Sequence, residues 1–143
     1  MKISTRGRYS LRMMIDLAQH RSDGYITLND IAKRQDISKK YLEQITPFLT
    51  RSELIVSAKG QAGGYTLAKE PSEITVKDIL LSAEGSLAPV SCMESGTVKC
   101  ERAAECMTLP IYQGLYKVVS EYLDSITLQS ILDNAPESYE YYI

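Results

Sequence analysis

Long apolar runs are missing from this chain of 143 residues, and with them any segment long enough to span a bilayer. The first ten residues, MKISTRGRYS, lack the apolar stretch and small-residue cleavage site of a signal peptide, so the sequence reads as cytoplasmic, with no membrane partner. Histidine is reduced to His20, and the three cysteines form no C-x-x-C pair. There is no nucleophile elbow and no phosphate-binding loop, which removes the usual signatures of thiol oxidoreductases, hydrolases and nucleotide enzymes. No enzyme is expected. A hydrophobic fraction of 44% argues against disorder, and the length suffices for one core with a smaller second element.

The net charge of −2 conceals a segregation. Residues 1–69 carry twelve Lys/Arg against six Asp/Glu, a net of +6, whereas residues 70–143 carry four against twelve, a net of −8. One half is suited to a polyanion and the other is not. Chance segregation of solvated charge would look the same until a motif is found in the basic half.

The basic half holds such a motif. Leu11, Met14, Ile15 and Ala18 recur at helical spacing and predict a first helix over 8–20, with Lys2, Arg6, Arg8 and Arg12 around its start as a solvated or phosphate-contacting arm. Ile26-Thr27 caps a second helix ending near Arg34, and the same Ile-Thr arrangement recurs at 74–75 and 126–127. A turn of three residues, Gln35-Asp36-Ile37, leads to Ser38, which caps a third helix whose Leu42, Ile45 and Leu49 share one buried stripe. Lys39, Lys40, Glu43 and Gln44 remain on its outer side. Pro47 removes a donor inside this helix, so a kink is expected there, confining the reading end to Ser38 through Ile45. Leu54-Ile55-Val56 and Tyr65-Thr66-Leu67 flank a glycine-rich loop and form a hairpin over about 54–68. A helix with a polar, partly basic face followed by a hairpin is the layout of a winged helix that reads DNA. The glycines sit between strands, not between strand and helix, so they make no nucleotide site.

After the Thr75 helix, which runs to about Ala83, periodicity disappears over 84–108. Cys92, Cys100 and Cys106 cluster in this loop, and an odd number of thiols there points to metal, cluster or redox chemistry in place of a disulfide framework. Pro110 then opens a long helix with two apolar stripes. Ile111, Leu115, Val118 and Tyr122 form one; Tyr112, Tyr116, Val119, Leu123 and Ile126 form the other. One stripe can pack on its own domain and the other on a twin helix, which predicts a homodimer. The expected architecture is mainly α with a small β-hairpin: a winged helix-turn-helix domain at 1–83, a cysteine loop at 84–108, a dimerisation helix with a short following helix at 109–134, and a Tyr-rich tail at 135–143.

Several of these pieces together resemble the IscR/NsrR/CymR family of bacterial winged-helix regulators. They are Lys2 to Tyr9, Ile37-Ser38 with Tyr41-Leu42-Glu43-Gln44, Gly60 with Gly63-Gly64-Tyr65, Ile74 to Ile79, and Leu123 to Leu128. The resemblance covers nearly the whole chain. It implies a homodimer on double-stranded DNA with a roughly palindromic operator, each subunit placing a helix in the major groove and a wing against the minor groove. It supports Ser38, Tyr41, Glu43 and Gln44 as groove residues and Lys59 with Gln61 as the wing tip; Lys39, Lys40 and Arg6 join them as phosphate or base contacts. The interface would lie on Ile111, Leu115, Val118, Val119 and Tyr122. Cysteine-bearing members hold an iron–sulfur cluster, usually [2Fe–2S], in the loop occupied here by Cys92, Cys100 and Cys106. The chain departs from the family at the fourth ligand. Leu109 stands where a histidine is found in relatives and Arg8 where others have a carboxylate, leaving Glu94, Glu101, Glu105, His20, the other subunit or a small molecule. The alternatives are a cluster-free thiol sensor, a zinc site, or a CymR-like regulator of cysteine and sulfur metabolism controlled by a protein partner. A plain dimeric interaction module would show no affinity for DNA.

Overall fold

The computed structural model describes residues 1–96, 98 and 100–136, so the tyrosines of the tail lie outside the described residues. The helices are α1 (Thr5–Gln19), α2 (Leu28–Gln35), α3 (Lys39–Arg51), α4 (Val76–Glu84), α5 (Leu109–Asp124) and α6 (Leu128–Asp133), and β1 (Ile55–Ala58) pairs antiparallel with β2 (Gly64–Leu67). This is a winged helix-turn-helix followed by a long helix.

Three helix starts follow directly from the Ile-Thr pairs. The hydroxyls of Thr27, Thr75 and Thr127 accept from the backbone N–H of Asp30, Asp78 and Ser130, while Asp78 and Ser130 reach back to complete capping boxes. The isoleucine before each cap does more than staple a helix. Ile26 exchanges two backbone hydrogen bonds with Tyr65, at 2.9 and 2.8 Å, adding a third strand-like segment to the wing. The other two caps bond to each other: Val76 N–H donates to the Ile126 carbonyl at 2.8 Å and Leu128 N–H to the Ile74 carbonyl at 3.0 Å. A local motif used three times thus becomes the wiring between distant segments.

One expectation about helices needs correction. The first helix begins at Thr5, earlier than its apolar periodicity indicates, because Ser4 caps it by accepting from Gly7 N–H at 3.1 Å. The third helix continues through Pro47 to Arg51. Pro47 leaves the Glu43 carbonyl without its usual donor, and the buried Thr46 hydroxyl, at 3.4 Å, donates to that oxygen.

The core gathers Met13, Met14 and Leu17 of α1, Ile31 of α2, Leu42, Ile45 and Leu49 of α3, and Ile55, Ile74 and Ile79 around them, all nearly or fully buried. Each such side chain contributes about 1.5–3 kcal/mol relative to exposure. Leu128 of α6 is fully buried in the same cluster, so the last helix returns to α1. Meanwhile α5 lies against α4, with Tyr116, Leu123 and Ile126 packed on Val76, Leu80 and Leu87.

Candidate nucleic-acid interface and cysteine loop

The third helix starts at Ser38, whose hydroxyl accepts from Tyr41 N–H at 3.1 Å. Its buried stripe, Leu42, Ile45 and Leu49, fixes which side faces out, and Ser38, Lys39, Lys40, Glu43 and Gln44 are all exposed. Lys59 and Gln61 are exposed at the tip of the wing. Among the described residues none of Lys39, Lys40 and Lys59 is ion-paired, so their charge is available to a polyanion.

Tyr41 differs from its neighbours. It is half-buried, with its ring edge-on to Tyr9 of α1 at 5.2 Å between centroids, so it is held by α1 as well as by its own helix. Arg6 also differs from the expectation of a free arm. It is half-buried, its Nε donates to the Ala83 carbonyl at 2.8 Å, and its guanidinium lies 4.4 Å from the centre of the Phe48 ring. The last turn of α4 and the aromatic ring thus hold a guanidinium that was expected on a free arm. Arg12 is likewise turned inward: Nη2 donates to the Gln35 backbone carbonyl, and Nε to the Gln35 side-chain oxygen at 3.4 Å.

Sequence reasoning missed the buried polar centre. Asp16 is fully buried and accepts from Arg34 twice, at 2.9 and 2.7 Å, and from the Gln35 amide at 3.0 Å. Burial alone would raise its pKa, but the hydrogen bonds from Arg34 and Gln35, with the Arg34 and His20 charges, outweigh that and hold the carboxyl below the ordinary aspartate value. The available signal was a lone acid amid the apolar residues of α1.

In the cysteine loop, short 3-10 turns at Ser91–Met93 and Ala103–Glu105 replace the structureless run expected from composition. All three thiols are free. Cys100 and Cys106 border one open cleft of about 470 Å³ with Arg102, Glu105, Met107 and Thr108, and Cys92 is not part of that lining. The Cys106 thiol is held below its ordinary value by the Thr108 hydroxyl at 3.4 Å, then by the Thr108 and Leu109 backbone N–H groups and the Arg102 charge. Its chemistry therefore suits a thiolate ligand. As arranged in one chain, however, the donors do not complete a cluster site: among the described residues no three His, Cys, Asp or Glu side chains are grouped to hold a metal ion.

On α5 the two stripes separate except at Tyr112, which belongs by spacing to the second stripe but is exposed. Tyr116 and Leu123 pack inward, Val119 is half-buried, and Ile111, Leu115, Val118 and Tyr122 are exposed, three of them by more than 60%. No helix among the described residues is long and apolar enough to cross a membrane.

The Rrf2 family profile, described as an iron-dependent transcriptional regulator, matches residues 3–134. Protein rrf2 of Nitratidesulfovibrio vulgaris is 38% identical over 135 residues, 94% of this chain and 89% of its own length. Among solved structures, CymR, the global cysteine regulator of B. subtilis, superposes with a TM-score of 0.77 at 35% identity, covering 95% of this chain and 99% of its own. IscR of T. potens superposes with a TM-score of 0.75 at 37% identity, covering 99% and 97%.

Proposed function

The chain belongs to the Rrf2 family of transcriptional regulators, and from that premise we propose that it binds a roughly palindromic operator as a homodimer under control of its cysteine loop. The observation that carries the DNA-binding surface is the exposed set Lys39, Lys40, Glu43 and Gln44 on one face of α3, with Lys59 and Gln61 on the adjoining wing, its charged members without an ion pair among the described residues. Lys39, Lys40 and Lys59 neutralise phosphates. Glu43 accepts from a cytosine amino group, and Gln44 pairs with adenine through both its edge atoms. Ser38 presents its hydroxyl at the helix start, and Tyr41 braces the reading face through Tyr9. Arg6, anchored within the domain through its Nε and the Phe48 ring, keeps its two terminal guanidinium nitrogens for a phosphate contact. The exposed stripe of Ile111, Leu115, Val118 and Tyr122, flanked by Val119, meets its twin in the dimer, which buries apolar surface that a monomer leaves in water.

For the controlling ligand, the primary reading is an iron–sulfur cluster, [2Fe–2S] in type, held by Cys92, Cys100 and Cys106 with a fourth ligand from elsewhere. Three thiols on one loop, a thiolate-favouring Cys106 and the iron-dependent family description support it. When bound, the cluster would supply an oxidation-sensitive cross-link between the thiols. A second reading, a cluster-free regulator of cysteine metabolism acting with a protein partner, is favoured by the likeness to CymR. Anaerobic purification with iron and sulfide quantification separates the two. Brown protein with iron and sulfide lost in a Cys92→Ala variant supports the cluster; colourless protein without either supports the partner reading.

A further inference from the structure

The buried Asp16 centre lies away from the exposed face of α3, yet it is wired to that helix through groups the DNA surface does not use. Arg34 forks onto the Asp16 carboxylate from the last turn of α2, and Gln35, beside it, donates its amide to the same carboxylate at 3.0 Å. Gln35 ends α2, just before the turn to α3. Asp36 follows in a left-handed conformation, φ 53° and ψ 49°, and Ile37 is buried in the core. Arg12 holds this turn from α1 through both the backbone carbonyl and the side-chain oxygen of Gln35. Its guanidinium also lies 5.2 Å from the centre of the Tyr9 ring, and Tyr9 meets Tyr41 edge-on on the first turns of α3. One side chain therefore touches the end of α2 and, through a single ring, the reading helix.

The apolar contacts of α3 are non-directional and allow it to slide or roll by fractions of an ångström. The hydrogen bonds of Arg12, Gln35 and Asp16 are directional and do not. We propose that Arg12 is a specificity-positioning residue: with Gln35 and Asp16 it fixes the angle of α3, so that Glu43 and Gln44 meet base edges in one register. This rests on the reading of α3 as the base-reading helix. Phosphate contacts tolerate small rotations of the helix and two-point base contacts do not, so loss of this hold reduces discrimination more than general affinity.

The test uses full-length protein, a duplex selected by the wild type from a random-sequence pool, and a shuffled duplex of the same length. Arg12→Lys keeps the charge but loses the planar fork and the ring contact. If the binding-competent orientation falls to about a tenth of the population, affinity for the selected duplex falls about tenfold. Affinity for the shuffled duplex and the salt dependence stay unchanged. Gln35→Met, which alters no charge and leaves the backbone acceptor in place, should lose less of the ratio, and it decides the matter if Arg12→Lys fails to fold. A selected-to-shuffled ratio kept within about twofold, or equal losses on both duplexes, overturns the proposal. Gln44→Ala reports on the underlying reading separately. If its ratio is unchanged, α3 does not read bases as assigned; if its ratio is lost while that of Arg12→Lys is kept, only the positioning proposal fails.

Discussion

Replacing Gly64 with alanine should loosen the wing from the helical body, because this glycine lies where β2 and Ile26 run backbone to backbone. Its φ is +143°, and a Cβ there would overlap the Ile26 carbonyl oxygen and lie 2.6 Å from the Ile26 carbonyl carbon and 3.0 Å from its nitrogen. The chain must move apart or strain. A residue forced into a sparsely populated backbone region costs about 1–3 kcal/mol. The two Ile26–Tyr65 backbone hydrogen bonds, at 2.9 and 2.8 Å, are worth about 0.5–1.5 kcal/mol each. Because separation relieves the clash by giving up the bonds, the two costs overlap, and about 3 kcal/mol is the expected loss. For a chain of this length that lowers Tm by about 6–12 °C. The assay is thermal unfolding at one fixed protein concentration, since a dimer makes Tm concentration-dependent. Gly60→Ala is the control. Gly60 also has a positive φ, +99°, but open space around its missing Cβ, so it carries the strain without the collision and should cost only about 1 kcal/mol. Equal, small losses in the two variants would refute the argument that contact with Ile26 seats the wing.

Three further outcomes follow from particular contacts. Asp16→Asn should cost about 2–4 kcal/mol near neutral pH, below the limit for a fully buried pair because the Arg34 side chain is 35% exposed. Since the Asp16 carboxyl is held below its ordinary value, its contribution is complete above that value and drains away as pH falls through the lower folded one, so the gap between wild type and variant in chemical denaturation should close on acidification below about pH 4; a gap independent of pH would contradict this. Thr46→Val should destabilise by about 0.5–1 kcal/mol in the native background and by less when Pro47 is also changed to alanine, because the restored backbone donor then serves Glu43, and a cycle of urea denaturations shows whether it does. Val118→Glu with Tyr122→Glu places charge on the exposed stripe of α5, and sedimentation should find the variant monomeric where wild type is dimeric, with the α-helical signal retained.

Much of the helical architecture could be read from local chemistry. Thr27, Ser38, Thr75 and Thr127 each announce a helix start, since the cap needs only a hydroxyl and the residues immediately after it. What escaped the sequence depends on distant partners. Nothing near Ile26 says that it will pair with Tyr65, nor near Thr75 that it will pair with Thr127. At Pro47 the lost backbone donor follows from the sequence alone, whereas the Thr46 hydroxyl that donates to the Glu43 carbonyl in its place does not. Arg6 and Arg12 looked like solvated positive charge because a sequence cannot show that Ala83, Phe48 and Gln35 wait within reach. The exposed residues of α3 and the wing could be placed because helical and strand periodicity decide exposure. The thiols were locatable as a group, but their grouping in space is set by the loop, where no periodicity constrains the backbone.

The claim on which the account depends is that the outer face of α3 meets DNA, and the salt dependence of binding tests it most directly. Equilibrium titrations of wild type and Lys39→Ala on the selected duplex, repeated over a range of salt concentrations, should show weaker binding for the variant and a log–log slope shallower by about one unit. The same loss should appear on a shuffled duplex, because a phosphate contact carries no sequence information. Identical affinity and slope for the two proteins would remove Lys39 from the interface, and a wild type that binds neither duplex at low salt would contradict the assignment of α3 altogether.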